Sequence, residues 1–237
     1  MKFSIIIPAH DEEEYIVACI QAAKHLNYPA DDYEIVVVDN NSQDRTLSLA
    51  QELGVWVVSE KRLGVGWARR TGTEIAQGDY ILQIDADTRL PANYLVEVEK
   101  RFAQDKQLVC LGGQMIYYDT GIGINFIRFF IHYLLWFFAR VVSGGQVGPM
   151  GNNMTFRKKD YQQTTGFDPQ LRYGEDSDLC RKLARLGRIK LDMSLKCFVS
   201  GRRYRLNRYL GRYFFNFLCL CVGRRPYHNE LPSLKKK

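Results

Sequence analysis

None of the six cysteines in this 237-residue chain (Cys19, Cys110, Cys180, Cys197, Cys219 and Cys221) forms a CxxC pair or stands at metal-ligand spacing from a histidine. Their placement argues against a zinc site and a disulfide framework, and for reduced thiols in the cytoplasm. No linker rich in proline or serine divides the chain and no segment repeats, which argues against a string of separate domains. The opening "MKFSIIIPAHDEEE" has too few apolar residues before its acidic run for the core of a signal peptide. Long apolar runs are missing too. "IGINFIRFFIHYLLWFFARVVSGG" is broken by Asn125, Arg128, His132 and Arg140, and its uncharged remainder falls short of the roughly 20 residues a membrane span requires.

What is present suffices for one sizeable core, since 46% of the residues are hydrophobic. The formal charge of +7 conceals a division: residues 1–121 carry 11 basic and 19 acidic side chains, and residues 122–237 carry 22 and 7. A basic second half suggests a polyanionic partner such as nucleic acid, lipid headgroups or a phosphorylated substrate.

The first half alternates strand-like runs, "FSIIIPA" (3–9), "YEIVVVD" (33–39), "VWVVSE" (55–60) and "YILQID" (80–85), with helical patterns between them. Continuous Ile and Val indicate strands covered on both faces, as in a mostly parallel sheet flanked by helices: an α/β fold. Further strands are expected at "LVCLGGQMIYY" (108–118), "GNNMTF" (151–156) and "IKLD", with a helix beginning near "GEDSDL". Ligands of such sheets sit beyond the carboxyl ends of the strands. "PAHDEE", "DNNSQD" and "DADT" fall there.

Asp85 and Asp87 stand two apart on an extended segment, so both point the same way, with Cα atoms roughly 6 to 7 Å apart. A hard divalent cation, Mn²⁺ or Mg²⁺, would remove their repulsion. A turn after a strand would equally place Asp there. "GEDSDL" likewise reads either as acids in the first turn of an ordinary helix or as a source of a catalytic base.

In order and spacing, "IIIPAHDEE", "VVVDNNSQDRT", "GVGWARRTG", "DADT" and "GEDSDL" resemble the inverting family 2 glycosyltransferases of the GT-A fold. The resemblance spans about residues 3–200. It implies a nucleoside-diphosphate sugar donor contacted by Pro8, Ala9, His10, Glu12, Asp39, Arg69 and Asp85, with His10, Asp11 and Asn40 departing from the usual residues. It makes Asp85 and Asp87 a metal-binding pair, Asp87 the more direct ligand, and lays Arg69 near the diphosphate. Inverting transfer also needs a base for the acceptor hydroxyl, and the resemblance assigns it to Asp176. Gly151, Asn152, Asn153 and Glu175 are placed at the sugar and acceptor pocket. The acceptor expected is a glycan or a lipid-linked molecule.

One domain over 1–237 is expected, with a nucleotide-sugar half (1–121), an acceptor-side half (122–200) and a basic amphipathic helix and tail (201–237). At helical spacing Asn125, Arg128, His132, Arg140 and Ser143 share one side of 122–142, opposite Phe126, Phe130, Leu134, Phe137 and Val141. A second stripe follows with Arg205, Arg208, Arg212 and Asn216. These helices suit peripheral contact with an anionic membrane at its cytoplasmic face, or packing on the sheet or in a homodimer. No nucleic-acid module is recognisable. Two rival readings stand beside the transferase: a haloacid-dehalogenase-like phosphatase built on "DADT", and a non-catalytic module binding sugar nucleotides at a membrane.

Overall fold

The computed structural model describes residues 1–202 except 147, 150, 172 and 173. The expected C-terminal helix and tail therefore lie, beyond Arg202, outside the described residues, as do the side chains of Arg128 and His132.

The chain runs β1 (Phe3–Ala9), α1 (Ile16–Lys24), β2 (Tyr33–Asp39), α2 (Thr46–Glu52), β3 (Trp56–Ser59), α3 (Val65–Ile75), β4 (Tyr80–Gln83) and α4 (Tyr94–Gln104). It continues with β5 (Leu108–Tyr117), α5 (Ile122–Val142), β6 (Met154–Arg157), α6 (Lys158–Tyr161), α7 (Glu175–Leu183) and β7 (Arg188–Val199). The seven strands form one sheet in the order β3-β2-β1-β4-β6-β5-β7. All neighbours are parallel except β6, which runs antiparallel between β4 and β5.

Side chains alternate across a strand, so a run such as Ile5-Ile6-Ile7 feeds two cores. Phe3, Ile5 and Ile7 pack with Ile16, Ile20, Tyr94, Leu95 and Val98 under α1 and α4. Ile6, Val36 and Val38 pack with Ala68, Leu179 and Leu183 under α3 and α7. Each fully buried aliphatic side chain contributes about 1.5–3 kcal/mol, so neither face can be left open. Close approach of α3 depends on Gly72, where a Cβ would run into Ile6 and Val38.

This arrangement gathers the site at one edge. The carboxyl ends of β1, β2 and β4 open there, and the pairing of Gln83 with Met154 brings the amino end of β6 beside them. β7 is longer than the expected "IKLD": the ladder slips opposite Gly113, where Asp192 accepts hydrogen bonds from Ser194, and then resumes to Val199. A local polar turn broke the apolar pattern without ending the strand.

α5 turns Asn125, Trp136 and Arg140 toward the protein. Asn125 bonds the backbone of Tyr117, the Trp136 indole donates to the Gly148 carbonyl at 3.1 Å, and Arg140 donates to the Ile189 carbonyl at 2.9 Å. Phe126, Phe130, Leu134, Phe137 and Val141 face outward, each 56–64% exposed. The helix therefore does not seal a core with its apolar face. The reading that the segment is too interrupted for a span also needs correction: among the described residues α5 alone is long and apolar enough to cross a membrane, by length and composition. The 18 residues from Asn125 to Val142 stay apolar on average although Arg128 and Arg140 lie among them.

Candidate active site

The loops after β1 and β2 are sewn together by side chains bonding to backbone. The Glu12 amide donates to Thr46 Oγ1 at 2.7 Å, the Glu13 amide to Asp44 at 3.1 Å, and the Gln43 amide to Asp11 at 2.7 Å. Asp11 and Asn41 both adopt left-handed backbone conformations, with φ of 53° and 64°, which Asp and Asn tolerate better than other side chains. Pro8 and Ala9 are buried at the end of β1. His10 is exposed, and its Nδ1 lies 2.8 Å from the Asn40 carbonyl oxygen.

Asp39 closes β2 and is 4% exposed, and among the described residues its Oδ1 is buried without a hydrogen-bond partner. A buried carboxylate oxygen left unsatisfied is costly. Asn40, in contrast, is fully engaged: it donates to the carbonyls of Glu60 and Arg62 and accepts from the Gly64 amide, each at 2.8 Å. It shapes the 60–64 loop, where Arg62 lies 3.7 Å above the Trp67 ring and holds Glu60, whose carboxyl is lowered to about 2.

The chain leaves β4 at Gln83, and residues 85–88 form a turn closed by the Thr88 amide donating to the Asp85 carbonyl at 2.9 Å. The extended geometry expected for Asp85 and Asp87 is thus replaced by a turn, and the two carboxylates meet different arginines. Asp85 accepts from Arg69 Nη2 at 2.7 Å. Asp87 accepts from Arg202 Nε at 3.0 Å.

Arg69 sits on α3 with its side chain 3% exposed. Besides Asp85 it donates to Glu175 at 3.2 Å, to Gln83 Oε1 at 3.2 Å and to the Gly151 carbonyl at 2.9 Å. Four of its five N–H groups are engaged inside the protein, so it joins the turn after β4 to the segment before β6 and to the start of α7. Glu175 is buried there. Desolvation, reinforced by the neighbouring Asp176, raises its carboxyl to about 7, although Arg69 pulls the other way. Asp176 is part-exposed and accepts from the Gly151 amide at 2.8 Å and the Ser177 amide at 2.6 Å.

The two asparagines before β6 part company. Asn153 is 1% exposed, and its amide is taken up by the Tyr94 hydroxyl and by Cys197 Sγ, so it belongs to the core instead of the expected pocket. Asn152 is half-buried; its amide nitrogen lies 2.7 Å from Met115 Sδ, and its Oδ1 has no partner among the described residues.

Two contributors escaped the sequence reading. Gln83 did leave a signal, as an amide in the middle of "YILQID". Arg202 left none, being one of many basic residues in "SGRRYRLNRY"; its Nη2 lies 2.6 Å from both carboxylate oxygens of Glu12.

Among the described residues no three His, Cys, Asp or Glu side chains gather as a ready-made metal cage. Asp87 and Asp85 nevertheless fit a hard cation by chemistry, since Mg²⁺-type sites take one or two carboxylates and leave the remaining positions to water and phosphate. The Arg202 guanidinium already stands there as a cation between Asp87 and Glu12.

The sequence model described as "Glycosyl transferase family 2" matches residues 4–165. The chain is 28% identical over 204 residues to chondroitin synthase of Escherichia coli, covering 79% of this chain and 27% of the relative. To a poly(ribitol-phosphate) beta-glucosyltransferase of Bacillus spizizenii it is 30% identical over 119 residues, 47% of this chain and 19% of that protein. It therefore spans about a quarter or less of these curated relatives. In fold it is similar to a mannosyltransferase of Pyrobaculum calidifontis solved with GDP-Man and Mn²⁺ (TM-score 0.73, 20% identity, 94% of this chain and 63% of that one). It is also similar to glucosyl-3-phosphoglycerate synthase of Mycobacterium tuberculosis solved with Mn²⁺, UDP-glucose and phosphoglyceric acid (TM-score 0.70, 19% identity, 99% and 88%). With the family pattern spanning β1 to α6 and the GT-A sheet beneath it, this chain belongs to glycosyl transferase family 2.

Proposed function

We propose that this chain transfers a sugar from a nucleoside-diphosphate sugar to a hydroxyl of a glycan or lipid-linked acceptor, with inversion at the anomeric carbon. One observation carries the reading: Asp85, Arg69, Gly151 and Asp176 form an unbroken chain of hydrogen bonds between the turn after β4 and the start of α7. The nucleotide side and the base are thereby held as one rigid unit, as a displacement requiring fixed attack geometry demands.

Asp39 Oδ1 accepts from the base or ribose of the donor. Asp176 takes the proton of the acceptor hydroxyl, whose oxygen bonds to the anomeric carbon as the bond from that carbon to the diphosphate oxygen breaks, its electron pair leaving with the diphosphate. The two amides that bind the Asp176 carboxylate keep it oriented. Asp87, with Asp85, would hold Mn²⁺ or Mg²⁺, which supplies Lewis-acid neutralisation of the departing charge. The outward aromatic face of α5 and the excess positive charge of residues 122–237 support peripheral contact with an anionic membrane at its cytoplasmic face.

The test is titration with UDP, GDP and dTDP, with and without Mn²⁺, followed by hydrolysis assays of the matching sugar nucleotides. Asp87→Asn is expected to weaken metal-dependent nucleotide binding, and Asp176→Asn to lower turnover by about 10²–10⁴-fold with nucleotide binding retained. Absence of nucleotide binding, with a phosphomonoester hydrolysed through Asp85, would make the chain a phosphatase instead.

A further inference from the structure

Carboxylates held close together in a partly buried place need a cation, and the fold supplies one from far along the sequence. Arg202 binds both oxygens of Glu12 at 2.6 Å and Asp87 Oδ2 at 3.0 Å, and its guanidinium lies 4.1 Å above the ring of Tyr15. All three charged side chains are shielded, with exposures of 20% for Arg202, 12% for Glu12 and 7% for Asp87. With one guanidinium nitrogen serving both oxygens of Glu12 and another serving Asp87, these are charge-assisted hydrogen bonds, stronger than neutral ones.

The backbone that carries Arg202 is itself clamped. Asp119 accepts from the Ser200 hydroxyl and from the Gly201 amide, both at 2.6 Å, and the Arg202 amide bonds Ser200 Oγ at 3.2 Å. Arg202 is thus placed by design of the turn after β7.

The geometry points to Arg202 as a resident cation of the donor site, which occupies Asp87 in the free enzyme and must be displaced from it before a divalent cation can bind. This rests on the proposed role of Asp87 as the metal ligand. The consequences follow from charge and from the donors of the guanidinium. A divalent cation alone meets a carboxylate already neutralised, so it binds weakly. Arriving with a nucleoside diphosphate, it brings an anion to which the released guanidinium can turn, because phosphate oxygens accept guanidinium hydrogen bonds as carboxylates do. The site is therefore completed by the donor instead of standing ready for free metal, and Glu12 becomes the residue that retains Arg202 nearby.

The experiment is a Mn²⁺ titration of the full chain, followed by electron paramagnetic resonance of the free ion, for wild type, Arg202→Gln and Arg202→Lys, without nucleotide and then with UDP or GDP. Without nucleotide, Arg202→Gln is expected to bind Mn²⁺ about tenfold tighter than wild type, the equivalent of one charge-assisted hydrogen bond removed from competition. Arg202→Lys, which keeps the charge and loses the two separate nitrogens that reach Asp87 and Glu12, is expected to fall between them, and it carries the comparison if thermal melting shows Arg202→Gln to be unfolded. Affinities equal within about twofold across the folded proteins would overturn the role of Arg202 while leaving Asp87 as the ligand. If no protein binds Mn²⁺ even with nucleotide, the metal assignment of Asp87 fails and this inference with it.

Discussion

A Cβ built on Gly151 would lie 2.5 Å from Arg69 Nη2, so the absence of a side chain at one position is what lets the guanidinium reach four acceptors at once. Gly151→Ala is expected to push Arg69 off Asp85 or to move the 151–153 backbone away from Asp176. Either shift costs about 1–3 kcal/mol of stability, as overpacking in tight interiors does. Turnover should fall more steeply than the melting temperature, since the base and the turn after β4 lose their common anchor. Paired thermal melts and sugar-nucleotide hydrolysis assays check this, and a variant of unchanged activity would show that the anchor is dispensable.

Arg69 itself pairs with two acids, the buried Glu175 and the partly exposed Asp85. Replacing it with Met leaves both without their counterion, and a loss of about 3–5 kcal/mol is expected by chemical denaturation. Arg69→Lys should also lose activity, because a single ammonium cannot span Asp85, Glu175, Gln83 and the Gly151 carbonyl.

Glu175 gives the site a pH signature. Its folded carboxyl is raised from 4.5 to about 7, chiefly by burial, so the native state holds a proton that the unfolded chain has released over that interval. Its contribution to stability is present below the ordinary value and is lost as pH rises toward about 7. Glu175→Gln, which mimics the protonated form, should gain in melting temperature relative to wild type as pH rises through that interval and hold a constant difference above it. A difference that does not change with pH would show Glu175 to be ionised throughout.

The outward face of α5 predicts sedimentation with phosphatidylglycerol vesicles at low salt and progressive release as salt is added. Phe130 and Phe137 are each more than half exposed. Replacing both with Ser removes about 1.5–3 kcal/mol of apolar transfer per ring, so vesicle binding should fall by at least tenfold for each, with no loss of melting temperature. Wild-type protein that stays in solution at low salt would remove the membrane placement.

Most of the fold was written in local pattern. The ranges of β1 and β2 match the continuous Ile and Val runs residue for residue, and α5 covers the segment whose spacing marked it as amphipathic. Burial on both faces admits few polar residues, so the pattern survives in the sequence without help from distant contacts. The ordered loops at the strand ends were legible for the same reason, since each is a short polar interruption between elements whose period is plain. What local pattern could not settle was partnership. Arg69 meets Glu175 across 106 positions, and Arg202 meets Asp87 across 115 and Glu12 across 190. Only the folded chain decides which cation faces which carboxylate, because Coulomb energy depends on distance in space and spacing along the chain carries no record of it. The same holds for the antiparallel insertion of β6, for the outward turn of the apolar face of α5, and for Asn153, whose amide was drawn into the core by Tyr94 and Cys197. Local pattern thus specifies the sheet, its flanking helices and the polar loops at its edge, whereas only contacts between distant segments give Asp85 and Asp87 a different arginine each.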